Sequence, residues 1–285
     1  MPVYKMRIAF NGRNYAGWQK QPGLHTVQQA VEDTLRSIFQ ESGLGVTASG
    51  RTDAGVHALD MTVSFRTETE LPEEEAAAKL KQRLPHDIRL LKIEHAPLGF
   101  NAHKDALGKA YVYVICPGEP EIFLKDLCWN WVNKPITEEV RKAVKLLAGK
   151  HDFRSFTGRH TEGDTVRTVY RAELTEIGNL VCFYISGNGF LYKMVRRLTG
   201  FLYETAQGKH TAEDLKDQLE HPEIPADDAT VAPPEGLYLQ KVFYQEDEWN
   251  GDRPASPEPL CRFGIFRPDS SIFPQQARHV KVNLT

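Results

Sequence analysis

Large apolar residues occupy every second position of residues 4–10, a spacing that predicts a half-buried β-strand. A similar alternation at residues 61–66 predicts another strand, and residues 46–49 and 88–93 have the composition of two more. Two amphipathic helices are expected between these strands. The first follows Thr26, which we expect to form a capping box with Gln29, and the second begins at Pro72 and ends before Pro85.

The second half of the chain repeats this order. Strands are predicted at residues 110–116, 166–174, 180–186 and 237–244, and helices after Thr137 and at residues 190–207 and 211–220. Each half therefore has roughly the β-α-β-β-α-β order of the ferredoxin-like, split βαβ arrangement. We predict a pseudo-duplicated α+β protein whose mixed or antiparallel sheets meet at a central cleft.

These patterns divide the chain into two domains and a tail. We assign residues 1–104 to the first domain and residues 105–246 to the second. Residues 247–285 begin with closely spaced prolines and end in a basic, partly apolar stretch, so we expect a linker and a tail that packs on the body or on a dimer partner. Contact of the tail with RNA is the alternative.

Composition narrows the class of protein. Hydrophobic residues make up 41% of the 285 residues and charged residues 26%, which is ordinary for a globular enzyme. The start of the chain lacks the apolar core of a signal peptide, and no apolar run is long enough to cross a membrane, so we expect a cytoplasmic protein without a membrane partner. The four cysteines are far apart, which gives no indication of a zinc site or a disulfide framework.

The strongest chemical signal is Asp53, which lies in the segment Gly-Arg-Thr-Asp-Ala-Gly-Val-His at residues 50–57. The segment connects two predicted strands, and we expect Gly50 and Gly55 to permit positive φ and close approach of another molecule. A carboxylate held in this way near Arg51 is a candidate nucleophile or general base. The alternative is an Asx-turn, in which the carboxylate only bonds its own backbone.

This segment resembles the catalytic loop of the TruA family of tRNA pseudouridine synthases, and other motifs of that family follow in the same order. They are Tyr15-Ala16-Gly17-Trp18-Gln19, Lys109-Ala110-Tyr111-Val112-Tyr113, the Gly-Asn-Gly-Phe-Leu-Tyr-Lys-Met-Val-Arg segment at 187–196, and Gly236-Leu237-Tyr238-Leu239. The resemblance spans about residues 3 to 244. It implies a pseudouridine synthase fold with the active site between two domains.

The resemblance also assigns the catalytic residues. It implies that Asp53 is the essential carboxylate, that Arg196 orients it, and that Tyr111 stacks on uracil and could accept a proton. Asp53 could attack C6 of the base, attack C1′ of the sugar, or remove the C2′ proton, and the sequence leaves these three open.

For substrate binding we expect Leu239 to form an apolar wall of the uracil pocket, with Leu237 less favoured. Arg51 is expected to contact RNA near the flipped nucleotide or to support the loop, and Lys193 and Arg197 are expected at phosphates. The chain departs from the family at His103, where an arginine is usual. A contact made there is expected to be weaker, or to be supplied by Lys104.

The activity implied is isomerisation of uridine to pseudouridine in the anticodon stem-loop of tRNA, at positions 38, 39 and 40, by a homodimer without a cofactor or metal. The net charge of −3 does not by itself indicate an RNA-binding protein, although a local basic cleft would suffice. The alternatives are a family member that acts elsewhere on tRNA, an inactive tRNA-binding module, and an unrelated hydrolase with an aspartate nucleophile.

Overall fold

The computed structural model describes residues 1–119, 122–132, 134–158, 163–223, 229–246 and 248. The first half contains β1 (Val3–Phe10), α1 (Val27–Phe39), β2 (Val46–Ala48), β3 (His57–Arg66), α2 (Glu73–Arg83) and β4 (Ile88–Ala96). The predicted β-α-β-β-α-β order is confirmed for this half. The second half contains β5 (Gly108–Cys116), β6 (Trp129–Asn130), α3 (Glu138–Leu146), β7 (Gly149–Asp152), β8 (Val166–Ile177), β9 (Leu180–Gly187), α4 (Met194–Ala206), α5 (Ala212–Glu220) and β10 (Leu237–Phe243).

The two halves share one mixed sheet, which confirms the predicted α+β class. In the described part of the chain the strand order is β4-β1-β3-β10-β5-β9-β8-β7, with β2 paired to β3 and β6 paired to β5. The last strand, β10, lies between the halves and runs parallel to β3 and antiparallel to β5. Because β10 crosses from the second half to the first, the two expected sheets are continuous where they meet.

The helices are placed by their caps and apolar faces. The Thr26 hydroxyl accepts a hydrogen bond from the backbone N–H of Gln29, as predicted, but the Gln29 amide donates to Asp33 instead of completing a capping box. A full capping box occurs at α5, between Thr211 and Asp214. The predicted second helix is also found, with Pro72 just before its first residue.

One large apolar core lies between the sheet and the helices. It includes fully buried side chains from both halves, such as Met6, Leu35 and Phe183. A smaller cluster, which includes Val112 and Tyr238, covers another part of the sheet. Burial of each large apolar side chain contributes about 1.5 to 3 kcal/mol, so the shared core holds the halves in a fixed relation.

The remaining predictions concern the cysteines and the ends of the domains. The thiols of Cys116, Cys128 and Cys182 are buried, as predicted for the first and third of them. No helix among the described residues is long and apolar enough to cross a membrane. The proposed boundary at residue 104 falls in the turn between β4 and β5. The predicted linker and tail, residues 247–285, lie outside the described residues except for Glu248.

Candidate active site

Backbone hydrogen bonds fix the loop that carries Asp53 between β2 and β3. The N–H of Trp18 donates to the carbonyl of Thr52 at 3.1 Å, and the N–H of Gly55 donates to the carbonyl of Tyr15 at 3.3 Å. Both partners come from the segment that follows β1. The loop that carries the carboxylate is therefore held from a second part of the chain, which limits its movement.

Glycines make this close packing possible. Gly55 has φ +79° and Gly17 has φ +87°, a left-handed conformation that favours glycine. A Cβ atom on Gly12 would lie 1.9 Å from the carbonyl oxygen of Val56, so a side chain there would displace the loop. Our expectation of positive φ is correct for Gly55 but wrong for Gly50, where the constraint is the nearby side chain of Lys109.

His57 closes the loop at the start of β3. Its Nδ1 atom accepts a hydrogen bond of 3.1 Å from the backbone N–H of Gly12, and its ring stacks on Tyr238 with centroids 4.7 Å apart. Burial lowers the pKa of His57 to about 4, so the ring is neutral near pH 7. A neutral ring is what the hydrogen bond to Nδ1 requires.

Arg196 meets Asp53 across 143 residues of sequence. It lies in the first turn of α4, and its Nη1 donates a hydrogen bond of 2.6 Å to Oδ2 of Asp53. Its Nε donates to the carbonyl of Ala232 at 2.8 Å, and Ala232 returns a backbone hydrogen bond to Arg196. The guanidinium fork is therefore divided between the carboxylate and the main chain, which fixes the direction from which it approaches Asp53.

Asp53 and Arg196 face an open cleft of about 1200 Å³. The side chain of Asp53 is 27% exposed and that of Arg196 13%, so the carboxylate is reachable from the cleft while its partner is more deeply placed. Among the described residues, no group of three or more His, Cys, Asp or Glu side chains could hold a metal ion.

Tyr111 lies on β5 and lines the same cleft, where its ring packs edge-on against Phe190 with centroids 5.1 Å apart. Burial, together with the nearby Asp53 carboxylate, raises the pKa of the Tyr111 phenol. The side chain is thus a neutral aromatic group with a fixed orientation. Leu237 also lines the cleft, whereas Leu239, which we favoured, is a 1% exposed core residue paired with Tyr111 in register.

The structure brings most of the predicted basic residues to the cleft. Arg51 and Lys193 line it, and the Lys193 ammonium also lies 5.0 Å from the ring centroid of Tyr192. Arg197 is not among the lining residues, because Nε and Nη1 of its guanidinium are buried within the protein. Consecutive residues of a helix are rotated by about 100° from each other, so Arg197 points away from the side on which Arg196 meets Asp53.

His103 and Lys104, in the segment where the chain departs from the family pattern, also lie at different places on the protein. His103 is exposed and lines the cleft, whereas Lys104 lines a different surface cavity, together with Gln40 and Arg66. The prediction that Lys104 replaces a basic contact at the cleft is therefore not supported by its position.

Sequence reasoning gave no role to two further lining residues, Lys109 and Phe190. Lys109 precedes Tyr111 by two positions on the same strand, so period-two alternation could have placed both side chains on one face. Phe190 adjoins α4 in sequence, and only the fold brings its ring to Tyr111.

Comparison with known proteins identifies the group to which this arrangement belongs. A family described as tRNA pseudouridine synthase matches residues 6–103 and 143–245. The chain is 37% identical over 242 residues to tRNA pseudouridine synthase A of Geobacillus sp. (strain WCH70), covering 84% of this chain and 97% of that protein. It is likewise 37% identical over 243 residues to the protein of that name from Bacillus subtilis (strain 168), covering 84% and 98%.

The chain belongs to the tRNA pseudouridine synthase family. Both partners of the ion pair, Asp53 and Arg196, fall within the matched segments of that family, as does Leu237. Tyr111 and Lys109 fall between the two segments, and the structure places them beside the pair.

Proposed function

We propose that this protein isomerises uridine to pseudouridine in tRNA and that Asp53 is the carboxylate that reacts with the target nucleotide. The observation that carries the proposal is the Asp53–Arg196 pair in an open cleft, in a chain of the tRNA pseudouridine synthase family. The carboxylate is accessible, has one fixed partner and lies on a loop held by backbone hydrogen bonds. These are the properties of a preorganised reacting group.

The reaction needs little beyond such a group. The C1′–N1 bond of uridine breaks, the base rotates and a C1′–C5 bond forms. The proton on C5 leaves to solvent and N1 takes up a proton, so the composition of the nucleotide is unchanged. No atom is oxidised and no external group is transferred. The protein must place a carboxylate beside the nucleotide and retain the detached uracil while it turns.

Tyr111 and Leu237 are suited to retaining the base. An aromatic face stacks on any pyrimidine, and an apolar wall on another side excludes water without fixing the rotation of the ring. The ring of Phe190 packs edge-on against the ring of Tyr111. Because the phenol of Tyr111 is neutral in the free protein, we assign it to stacking at the start of the reaction.

We further propose that the substrate is the anticodon stem-loop, at positions 38, 39 and 40, and that the protein acts as a homodimer in the cytoplasm. This finer assignment rests on the motifs described above. A uridine in the stem must leave its stack, which costs a few kcal/mol that contacts with the protein must offset. Arg51 and Lys193 are the cleft residues that we assign to the flanking RNA backbone.

Mapping of pseudouridine in tRNA from cells with and without this protein tests the proposal. We expect loss of pseudouridine at positions 38–40 and its restoration by the purified protein. Loss at other positions would identify a family member with a different target. Unchanged maps, combined with retained tRNA binding, would identify a binding module without the activity.

A further inference from the structure

Lys109 is a residue of the cleft to which the proposed reaction gives no role. It lies on β5 two residues before Tyr111, about 7 Å along the strand, and it lines the cleft with Asp53. The strand therefore presents an aromatic ring and an ammonium group to the same space. The spacing of Lys109 and Tyr111 along the strand is similar to the distance between the base and the phosphate of one nucleotide.

Among the described residues, none forms a hydrogen bond or an ion pair with the ammonium of Lys109, and burial lowers the pKa of the side chain. The neighbouring cation in the cleft, Arg196, is by contrast paired with Asp53. A half-buried ammonium without an anion is costly, and the cost is recovered when an anionic ligand arrives.

The surrounding backbone leaves room for this ammonium. Gly50, at the start of the Asp53 loop, has an ordinary negative or extended φ, so its backbone conformation does not require glycine. A Cβ atom at this position would lie 3.1 Å from Nζ of Lys109, which is tight. Glycine at position 50 therefore leaves the space that the ammonium occupies beside the loop that carries the carboxylate.

We propose that Lys109 binds a backbone phosphate of the target uridine while Tyr111 stacks on its base, so that β5 holds both ends of the flipped nucleotide. A phosphate is the anion that this nucleotide brings into the cleft, and lysine binds phosphate as a compact point charge. The inference rests on the proposed function, because it takes the nucleotide of a tRNA as the ligand.

The test measures the salt dependence of tRNA binding in full-length variants. Lys109→Met keeps an apolar stem and removes the charge, and Lys109→Arg keeps the charge. Lys81→Gln, on α2 and outside the cleft lining, is the matched control. Loss of one phosphate contact should reduce the slope of log K against log salt by about 0.7 to 0.9. We expect this reduction for Lys109→Met only.

Gly50→Ala provides a second variant in which the lysine is retained. The added methyl group would lie 3.1 Å from Nζ, so the ammonium must shift by a few tenths of an ångström, and we expect weaker tRNA binding with the slope retained. An unchanged slope for Lys109→Met, or an unchanged affinity of Gly50→Ala where Lys109→Met does not fold, would overturn the proposal, and so would a loss of turnover at saturating tRNA with no change in slope. The latter would place the ammonium on the base. Absence of pseudouridine formation by the unmodified protein would instead refute the proposed function, and the binding slopes can be measured without it.

Discussion

Replacement of Arg196 tests whether the guanidinium orients Asp53 or only supplies positive charge. Arg196→Ala removes the 2.6 Å hydrogen bond to Asp53 and the 2.8 Å hydrogen bond to the carbonyl of Ala232. A hydrogen bond to a charged group contributes about 1.5 to 3 kcal/mol. Because Asp53 is partly exposed, solvent replaces some of the loss, and we take about 2 to 3 kcal/mol as the effect on the transition state.

That free energy corresponds to a decrease in kcat/KM of roughly 30- to 150-fold. Arg196→Lys should be nearly as damaging, because one ammonium cannot donate to Asp53 and Ala232 from the positions of Nη1 and Nε. The assay is tritium release from tRNA labelled at C5 of uridine, with the thermal melting curve as a control for folding. Recovery of activity by Arg196→Lys to within about threefold of the unmodified protein would show that charge alone suffices and would refute the orienting role.

Two further predictions concern the support of the catalytic loop. Gly12→Ala should lower the free energy of unfolding by about 1 to 3 kcal/mol, because its Cβ would overlap the carbonyl of Val56. The control is Gly43→Ala, whose added Cβ would meet no atom within 4 Å. Equal melting temperatures of the two variants would contradict this prediction. His57 binds a proton more weakly in the folded than in the unfolded state, so its stabilising contribution is present above pH 6.5 and is lost as pH falls towards about 4. In His57→Asn the side-chain oxygen can still accept the hydrogen bond from Gly12, but no group titrates at this position. Between pH 6.5 and pH 4 the free energy of unfolding of this variant should therefore fall by about 3 kcal/mol less than that of the unmodified protein, as measured by chemical denaturation. Equal decreases would contradict the assignment.

Much of the fold could be predicted because its local signals are strong. Alternating residues in β1 and capping residues such as Thr26 and Thr137 gave the elements and their order. The pairing of β10 with β3 of the first half could not be predicted in this way, because strand pairing over long sequence separations leaves no local pattern. The short strands β6 and β7 were not predicted.

The site was predictable to a smaller degree, and mainly through resemblance. Nothing in the local sequence of Arg196 distinguishes it from Arg197, yet the former reaches Asp53 and the latter is turned away from the cleft. Leu237 and Leu239 present the same difficulty, because both are apolar residues on one face of β10. Such choices depend on how deeply each side chain lies below the cleft, which only tertiary packing determines.

The central claim is that the Asp53 carboxylate reacts with the target uridine, and Asp53→Asn tests it most directly. Asparagine keeps the shape of the side chain and removes its negative charge and basicity, so the fold and tRNA affinity should remain close to those of the unmodified protein. The measurement is tritium release from tRNA labelled at C5 of uridine under single-turnover conditions, with protein in excess over tRNA. We predict no detectable release by Asp53→Asn, whereas turnover within about tenfold of the unmodified protein would contradict the role of Asp53.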